Sequence, residues 1–264
     1  MCRWAAWIGR SIFLDEIISV PGHSLIQQSM AAEKCKATVN ADGFGVAWYG
    51  EKPEPGLYRD VFPALSDPNL QSLTGQVRSR LFLAHVRAST GSATSRNNCH
   101  PFTYGRWSFM HNGQVGGFAD IRRDADMAIP EAYYSERKGA TDSEALFLIA
   151  LAEGLDHDPV GAIARATARL EHLSRKKGGT PHMRLTLAFS DGARLFALRY
   201  ATDERAPTLI HRWNEDLGGH AAVSEPLETG ETGWQAVPQG TLCVFEGQDV
   251  CYLPFEPVRN EQAA

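Results

Sequence analysis

The hydrophobic period of this chain changes twice, and that limits the folds open to it. Residues 4–9 are apolar throughout and suit a buried strand, while 44–49, entered through the turn pair Asp42-Gly43, read as a second. Residues 81–86 and 107–110 give two more. Between them, Asp67-Pro68 predicts a capped helix start, with Leu70, Leu73 and Val77 at helical spacing. The period then turns fully helical. Thr141-Asp142-Ser143-Glu144 has the form of a capping box, and the apolar run 145–152 ends at Gly154. Asp158 and Pro159 open a second helix, with Ile163, Thr167 and Leu170 on one face and Leu173 close by, and Lys176-Lys177-Gly178-Gly179 closes it. After that the period falls back to two. Residues 184–189, the turn Asp191-Gly192 and 195–200 predict a hairpin, followed by strands at 208–213, 221–224, 241–245 and 250–253. Two adjacent helices set between blocks of strands cannot be the crossovers of a βαβ chain. The pattern is that of a layered α+β fold.

Composition narrows the class. The 264 residues are 43% hydrophobic and 22% charged, which suits a chain that folds by burial. Lys plus Arg number 26 against 31 Asp plus Glu, a net charge of −5 that gives no overall pull toward nucleic acid or anionic lipid. The cysteines stand at 2, 35, 99, 243 and 251, odd in number and without a C-x-x-C pair. A disulfide framework or zinc ribbon is not expected, and no metal or other cofactor is implied. The apolar start at 4–8 is cut by Arg10, Asp15 and Glu16, too short for a signal core or a membrane span, and the expected location is the cytoplasm. Without internal repeats, residues 2–258 read as one domain and 259–264 as a polar tail.

Four places could carry chemistry. Cys2 follows the initiator methionine, so removal of Met1 would leave a thiol and a free α-amine on one residue, a nucleophile with its own base. The amine titrates at roughly 7.7–8.0 and the thiol near about 8.5, so an appreciable part of the amine is free at neutral pH to take the thiol proton. The plainer alternative is a small apolar residue opening a strand. Arg87, in His85-Val86-Arg87-Ala88-Ser89-Thr90-Gly91, emerges where a strand gives way to a Ser/Thr/Gly loop. It could pair with a ligand carboxylate or equally with a neighbouring acid. Asn112 and Gly113 could aim a side-chain amide and a backbone N–H at one oxyanion, or simply form an Asn-Gly turn. Asp142 is spare if Thr141 supplies the cap; it either serves the helix dipole or receives a substrate ammonium. The nine histidines lack metal-ligand spacing, and His85, His100 and His111 read as hydrogen-bonded core or turn residues.

Taken in order, Met1-Cys2, Asp42-Gly43-Phe44-Gly45, His85-Val86-Arg87, Asn98-Cys99-His100-Pro101-Phe102, His111-Asn112-Gly113, Thr141-Asp142-Ser143-Glu144 and Ser224-Glu225-Pro226 resemble the class II glutamine amidotransferases. These are N-terminal-nucleophile hydrolases. The likeness spans most of the chain and is greatest to stand-alone bacterial members, a group that includes the γ-glutamyl hydrolase of ergothioneine biosynthesis. It implies an αββα sandwich of two antiparallel sheets. It also implies roles: Cys2 attacks the side-chain amide, Asn112 and Gly113 hold the oxyanion, Arg87 grips the α-carboxylate with help from Thr90, and Asp142 takes the α-ammonium. Reaction would pass through a γ-glutamyl thioester.

The aminosugar synthase branch carries Trp after the strand-end Arg and His after the Thr, where this chain has Ala88 and Gly91. The amide-cutting unit uses nearly all 264 residues, leaving no room for a synthase domain. The chain is therefore expected either to hydrolyse glutamine or a γ-glutamyl compound outright or to supply ammonia to a separate synthase or peptidase subunit. A non-catalytic γ-glutamyl binding protein is the third reading.

Overall fold

The computed structural model describes residues 2–30, 42–88, 93–177, 179–228, 230 and 233–258. Its first strand, β1 (Arg3–Phe13), explains the layering. Trp4, Ala6 and Ile8 pack into one apolar core and Ala5 and Trp7 into another, because successive strand side chains point to opposite faces. A strand buried on both faces must lie inside a multilayer fold.

The chain continues through α1 (Asp15–Ile18), α2 (Leu25–Met30), β2 (Phe44–Trp48), β3 (Gly56–Asp60), α3 (Pro68–Thr74) and β4 (Arg78–Val86). The second quarter holds β5 (Phe102–Tyr104), β6 (Trp107–Val115), α4 (Phe118–Met127) and α5 (Glu131–Tyr134). The paired helices are α6 (Asp142–Ala152) and α7 (Pro159–Lys176). Strands finish the chain: β7 (Met183–Ser190), β8 (Leu195–Ala201), β9 (Ile210–Asn214), β10 (Gly219–Val223), β11 (Gln235–Ala236), β12 (Thr241–Glu246) and β13 (Asp249–Pro254).

Two sheets result, in the orders β11-β9-β10-β1-β4-β2-β3 and β13-β12-β8-β7-β6-β5, and neighbouring strands run antiparallel. Three cores separate the layers. Trp4, Leu83, Met110, Ala188 and Phe245 fill the gap between the sheets. Trp7, Ile17, Leu25 and Phe82 join the first sheet to α1 and α2. Phe109, Phe147, Ile163, Leu170 and Phe189 join the second sheet to α6 and α7. The architecture is the expected αββα sandwich. Each fully buried Leu or Phe in these cores contributes roughly 1.5–3 kcal/mol.

The helix signals hold with two refinements. Asp67 caps α3 by accepting the Leu70 N–H at 2.7 Å, but the helix ends at Thr74, and Val77 lies beyond it. At α6, Thr141 Oγ1 accepts the Glu144 N–H at 3.2 Å, yet Glu144 does not return the bond to the cap residue. Its carboxylate instead takes the Lys138 and Gly139 N–H groups at 3.1 and 2.8 Å and the Arg137 guanidinium at 2.7 Å. Half of a capping box forms, and the other half anchors the preceding loop. The 184–200 hairpin appears as β7 and β8. Among the described residues no helix is long and apolar enough to cross a membrane.

Candidate active site

Strand parity gathers the candidate residues. In β4, Leu81 and Leu83 face the gap between the sheets, so His85 and Arg87 are in step with that face. In β6, Met110 faces the same gap and Phe109 the helices, which puts Asn112 on the inner side. Cys2 is in step with Trp4 and Ala6. Because β1 and β4 pair antiparallel with Arg3 opposite Val86, the start of one strand lies beside the end of the other.

Cys2 is half-buried. Its sulfur accepts the Ala88 N–H at 3.4 Å and lies 3.5 Å from the Ala88 carbonyl oxygen, to which the thiol can donate. Burial pushes the thiol pKa up; the Ala88 N–H and the Arg87 charge draw it down, the Asp142 carboxylate raises it again, and the net shift is upward. The resting group is a thiol, and a nucleophilic role for it would need a base to make the thiolate.

Arg87 is buried, reaching the carbonyl oxygens of Asp42 at 3.2 Å and Ala93 at 3.4 Å, while its N–H bonds Gly43 at 2.8 Å. The turn beneath it requires glycine. Gly43 has φ +114°, and a Cβ there would sit 2.6 Å from both Cys99 Sγ and the Asp60 carbonyl oxygen. The backbone-held guanidinium is fixed before any ligand arrives.

Asn112 is 3% exposed, its carbonyl accepts the Thr186 hydroxyl at 3.0 Å, and among the described residues its side-chain amide has no hydrogen-bond partner. Gly113 follows with φ +154°; a Cβ would come within 1.8 Å of the Arg184 carbonyl oxygen. The Asn-Gly pair is not a turn: both residues are paired within β6 and β7, opposite Thr186 and Leu185.

Asp142 opens α6 and ties it to the end of β6. Oδ2 accepts the Val115 N–H at 2.8 Å, and Oδ1 accepts the Ser143 N–H at 2.8 Å and its hydroxyl at 3.1 Å. Ser143 Oγ also lies 2.8 Å from His111 Nδ1. His111 therefore fits the expectation of a hydrogen-bonded histidine. His85 and His100 do not: both are buried, their rings are 4.3 Å apart, and among the described residues no ring nitrogen of either has a partner. Burial drives His85 down to about 3 and His100 well below its ordinary value, so both are neutral. The ring-to-ring contact crosses between β4 and the loop before β5, a pairing invisible in sequence.

Thr90 lies outside the described residues. Two contributors carried no assigned role in the sequence: the Ala88 backbone N–H, which no side-chain pattern reveals, and the buried Arg3–Glu225 pair at the foot of β1. Among the described residues, no three His, Cys, Asp or Glu side chains converge as metal ligands.

The fold is that of the N-terminal-nucleophile amidotransferases, and its inner edge holds a thiol, an arginine, an unpartnered amide and a carboxylate. Comparison with known proteins makes the assignment particular. The family model for class-II glutamine amidotransferases matches residues 20–212. A probable glutamine amidotransferase of Saccharomyces cerevisiae is 31% identical over 97% of this chain and 84% of its own length. A γ-glutamyl-hercynylcysteine sulfoxide hydrolase of Mycolicibacterium smegmatis is 27% identical over 97% of this chain and its full length, 100%. A glutamine aminotransferase class-II domain protein from Silicibacter pomeroyi has a solved structure with TM-score 0.80 and 49% identity, covering 98% of this chain and 100% of that one. The glutamine phosphoribosylpyrophosphate amidotransferase of B. subtilis, 11% identical with TM-score 0.64, shares the fold over 98% of this chain and 50% of its own. This chain belongs to the class-II glutamine amidotransferases and is an enzyme.

Proposed function

We propose that the protein is a thiol amidohydrolase that cleaves the side-chain amide of glutamine or of a γ-glutamyl compound, with Cys2 as nucleophile. The observation that carries this reading is the Cys2 sulfur held against the Ala88 N–H within reach of the Arg87 and Asp142 charges. Once Met1 is removed, the Cys2 α-amine takes the thiol proton and the thiolate attacks the amide carbon. The carbonyl oxygen becomes an oxyanion between the Asn112 amide and the Gly113 N–H, and the amine proton passes to the leaving nitrogen as the C–N bond breaks. Water then attacks the γ-glutamyl thioester, restoring the thiol and releasing the γ-carboxylate. Arg87 binds the substrate α-carboxylate and Asp142 its α-ammonium, so the site recognises the free amino-acid end. Thr90 is proposed to add a hydroxyl to that grip.

Outright hydrolysis is favoured over ammonia supply to a separate chain by the alignment with the M. smegmatis γ-glutamyl hydrolase, which runs over that relative's entire length. A turnover panel of glutamine, γ-glutamyl peptides, glutathione and a γ-glutamyl sulfoxide, on protein whose N-terminus has been weighed by mass spectrometry, tests the reading. Retained Met1 in active protein, or full activity in Cys2→Ala, refutes it. Glutamate release that rises only when a synthase-containing extract is added supports the ammonia-supplying alternative.

A further inference from the structure

The residue beside the nucleophile is charged and buried, which is costly unless the charge is held for a purpose. Arg3 and Glu225 are each 4% exposed. The Arg3 Nε and one terminal nitrogen contact Glu225 Oε1 at 2.9 and 2.5 Å, and the other terminal nitrogen, Nη1, donates to the Cys2 carbonyl oxygen at 3.0 Å. Glu225 is itself fixed from several sides. Its neighbour Ser224 exchanges two bonds with Trp4, N–H to carbonyl at 3.0 Å and hydroxyl from N–H at 3.1 Å, continuing the β1–β10 ladder past Val223. Gln28 Nε2, from α2, bonds the His23 carbonyl at 2.9 Å and those of Glu225 and Pro226 at 3.4 Å each, and His23 Nε2 lies 3.8 Å from Glu225 Oε2. The Ser224-Glu225-Pro226 turn is thus pinned to both β1 and α2.

We propose that Arg3 and Glu225 are positioning residues for the nucleophile, holding the Cys2 carbonyl through a guanidinium that Glu225 clamps. Cys2 lies outside the β1 ladder, so its carbonyl needs a donor from elsewhere, and Arg3 supplies it. Fixing that carbonyl fixes the Cys2 backbone, and with it the line from Sγ to the Ala88 N–H and from the α-amine to the thiol. The guanidinium meets the carboxylate and the carbonyl with different nitrogens of one rigid fork; a lysine would have to reach both from a single nitrogen at the end of a flexible stem and would not hold this geometry. The inference rests on Cys2 as the nucleophile. It adds two residues, neither in contact with substrate, that set how fast the thiol reacts.

The test uses the full chain, glutamate release from glutamine, and labelling by a diazoketone analogue of glutamine followed by intact mass. The double variant Arg3→Met/Glu225→Leu replaces the buried pair by apolar groups of similar volume, a change proteins often tolerate. Its melting temperature should stay near wild type, while kcat and the maximal labelling rate fall on the order of 10²-fold, because a small misplacement of a reacting group costs that much. KM and the half-saturating analogue concentration should not move. If the double variant does not fold, Arg3→Lys keeps a cation for Glu225, loses the carbonyl contact, and should show the same loss in kcat at constant KM. A folded variant with wild-type kcat and labelling rate overturns the inference, as does a loss carried by KM. Cys2→Ala separates the two readings: if it remains active and unlabelled by mass, the nucleophile assignment fails; if it is dead while the double variant is fully active, only the positioning role fails.

Discussion

Replacing Asn112 by alanine isolates catalysis from stability. Asn112 is 3% exposed and its side-chain amide makes no hydrogen bond among the described residues, so truncating it breaks no bond that the fold uses. Its backbone is held by pairing with β7 and by the Thr186 hydroxyl, none of which depends on the side chain. Removing the amide should therefore leave the melting temperature within a few degrees of wild type. The proposed oxyanion, however, loses a side-chain donor, a loss of roughly 10²–10³ in kcat, or about 2.7–4 kcal/mol in the transition state. Because the charge develops only after attack, KM should be nearly unchanged. Stopped assays of glutamate release across a range of glutamine concentrations, beside thermal denaturation, measure both quantities. A normal kcat with raised KM would make Asn112 a substrate-binding residue. A fall of ten degrees or more in melting temperature would show that the amide has a structural partner, and either result refutes the assignment.

Gly113→Ala should behave in the opposite way: its Cβ would meet the Arg184 carbonyl oxygen at 1.8 Å, so denaturant unfolding should show β6–β7 weakened by several kcal/mol. Asp142→Asn cannot accept all three hydrogen bonds at the β6–α6 junction and loses the charge proposed to meet the substrate ammonium, so KM for glutamine should rise at least about tenfold; an unchanged KM removes that role. Glu144→Leu leaves the buried Arg137 guanidinium without this partner and should cost about 3–5 kcal/mol in urea unfolding. His85 and His100 bind protons only on unfolding, with folded-state values depressed to about 3 for His85 and well below the ordinary value for His100. The unfolded chain holds more protons below pH ~6.5, so stability is full above that pH and falls as pH drops, by about 1 kcal/mol for each ring between roughly pH 6.5 and 5.5. Urea titrations at the two pH values check this, and a flat response would mean that the rings are solvated or paired.

Much of the fold was legible in the sequence because its signals are local. Asp67, Thr141 and Asp158 each accept the backbone N–H expected of a cap. Three of the unread helices lack such a mark: α1 is capped by Leu14 and α5 by Pro130 without a side-chain bond, and α4 starts from Gly117 in the left-handed region; α2 does carry one, Ser24 Oγ accepting the Gln27 N–H at 3.3 Å, but its six residues are too few to show a helical period. Short β5 and β11, with three and two residues, are too brief to show a period of two.

The sequence by itself determined the layering, since alternating and helical periods decide which faces must be buried, and it singled out Cys2, Arg87, Asn112, Gly113 and Asp142 by local chemistry. Only tertiary structure decided how those residues stand toward one another. It turned an apparent Asn-Gly turn into strand, since the collision that forbids a side chain at Gly113 comes from Arg184 across the sheet. It left the His85 and His100 rings tilted against each other with no hydrogen bond at their nitrogens among the described residues, and brought Glu225 across 222 positions to Arg3. Periodicity is a property of neighbours along the chain, whereas a hydrogen bond, a ring contact or a clash belongs to atoms that meet only when sheets stack.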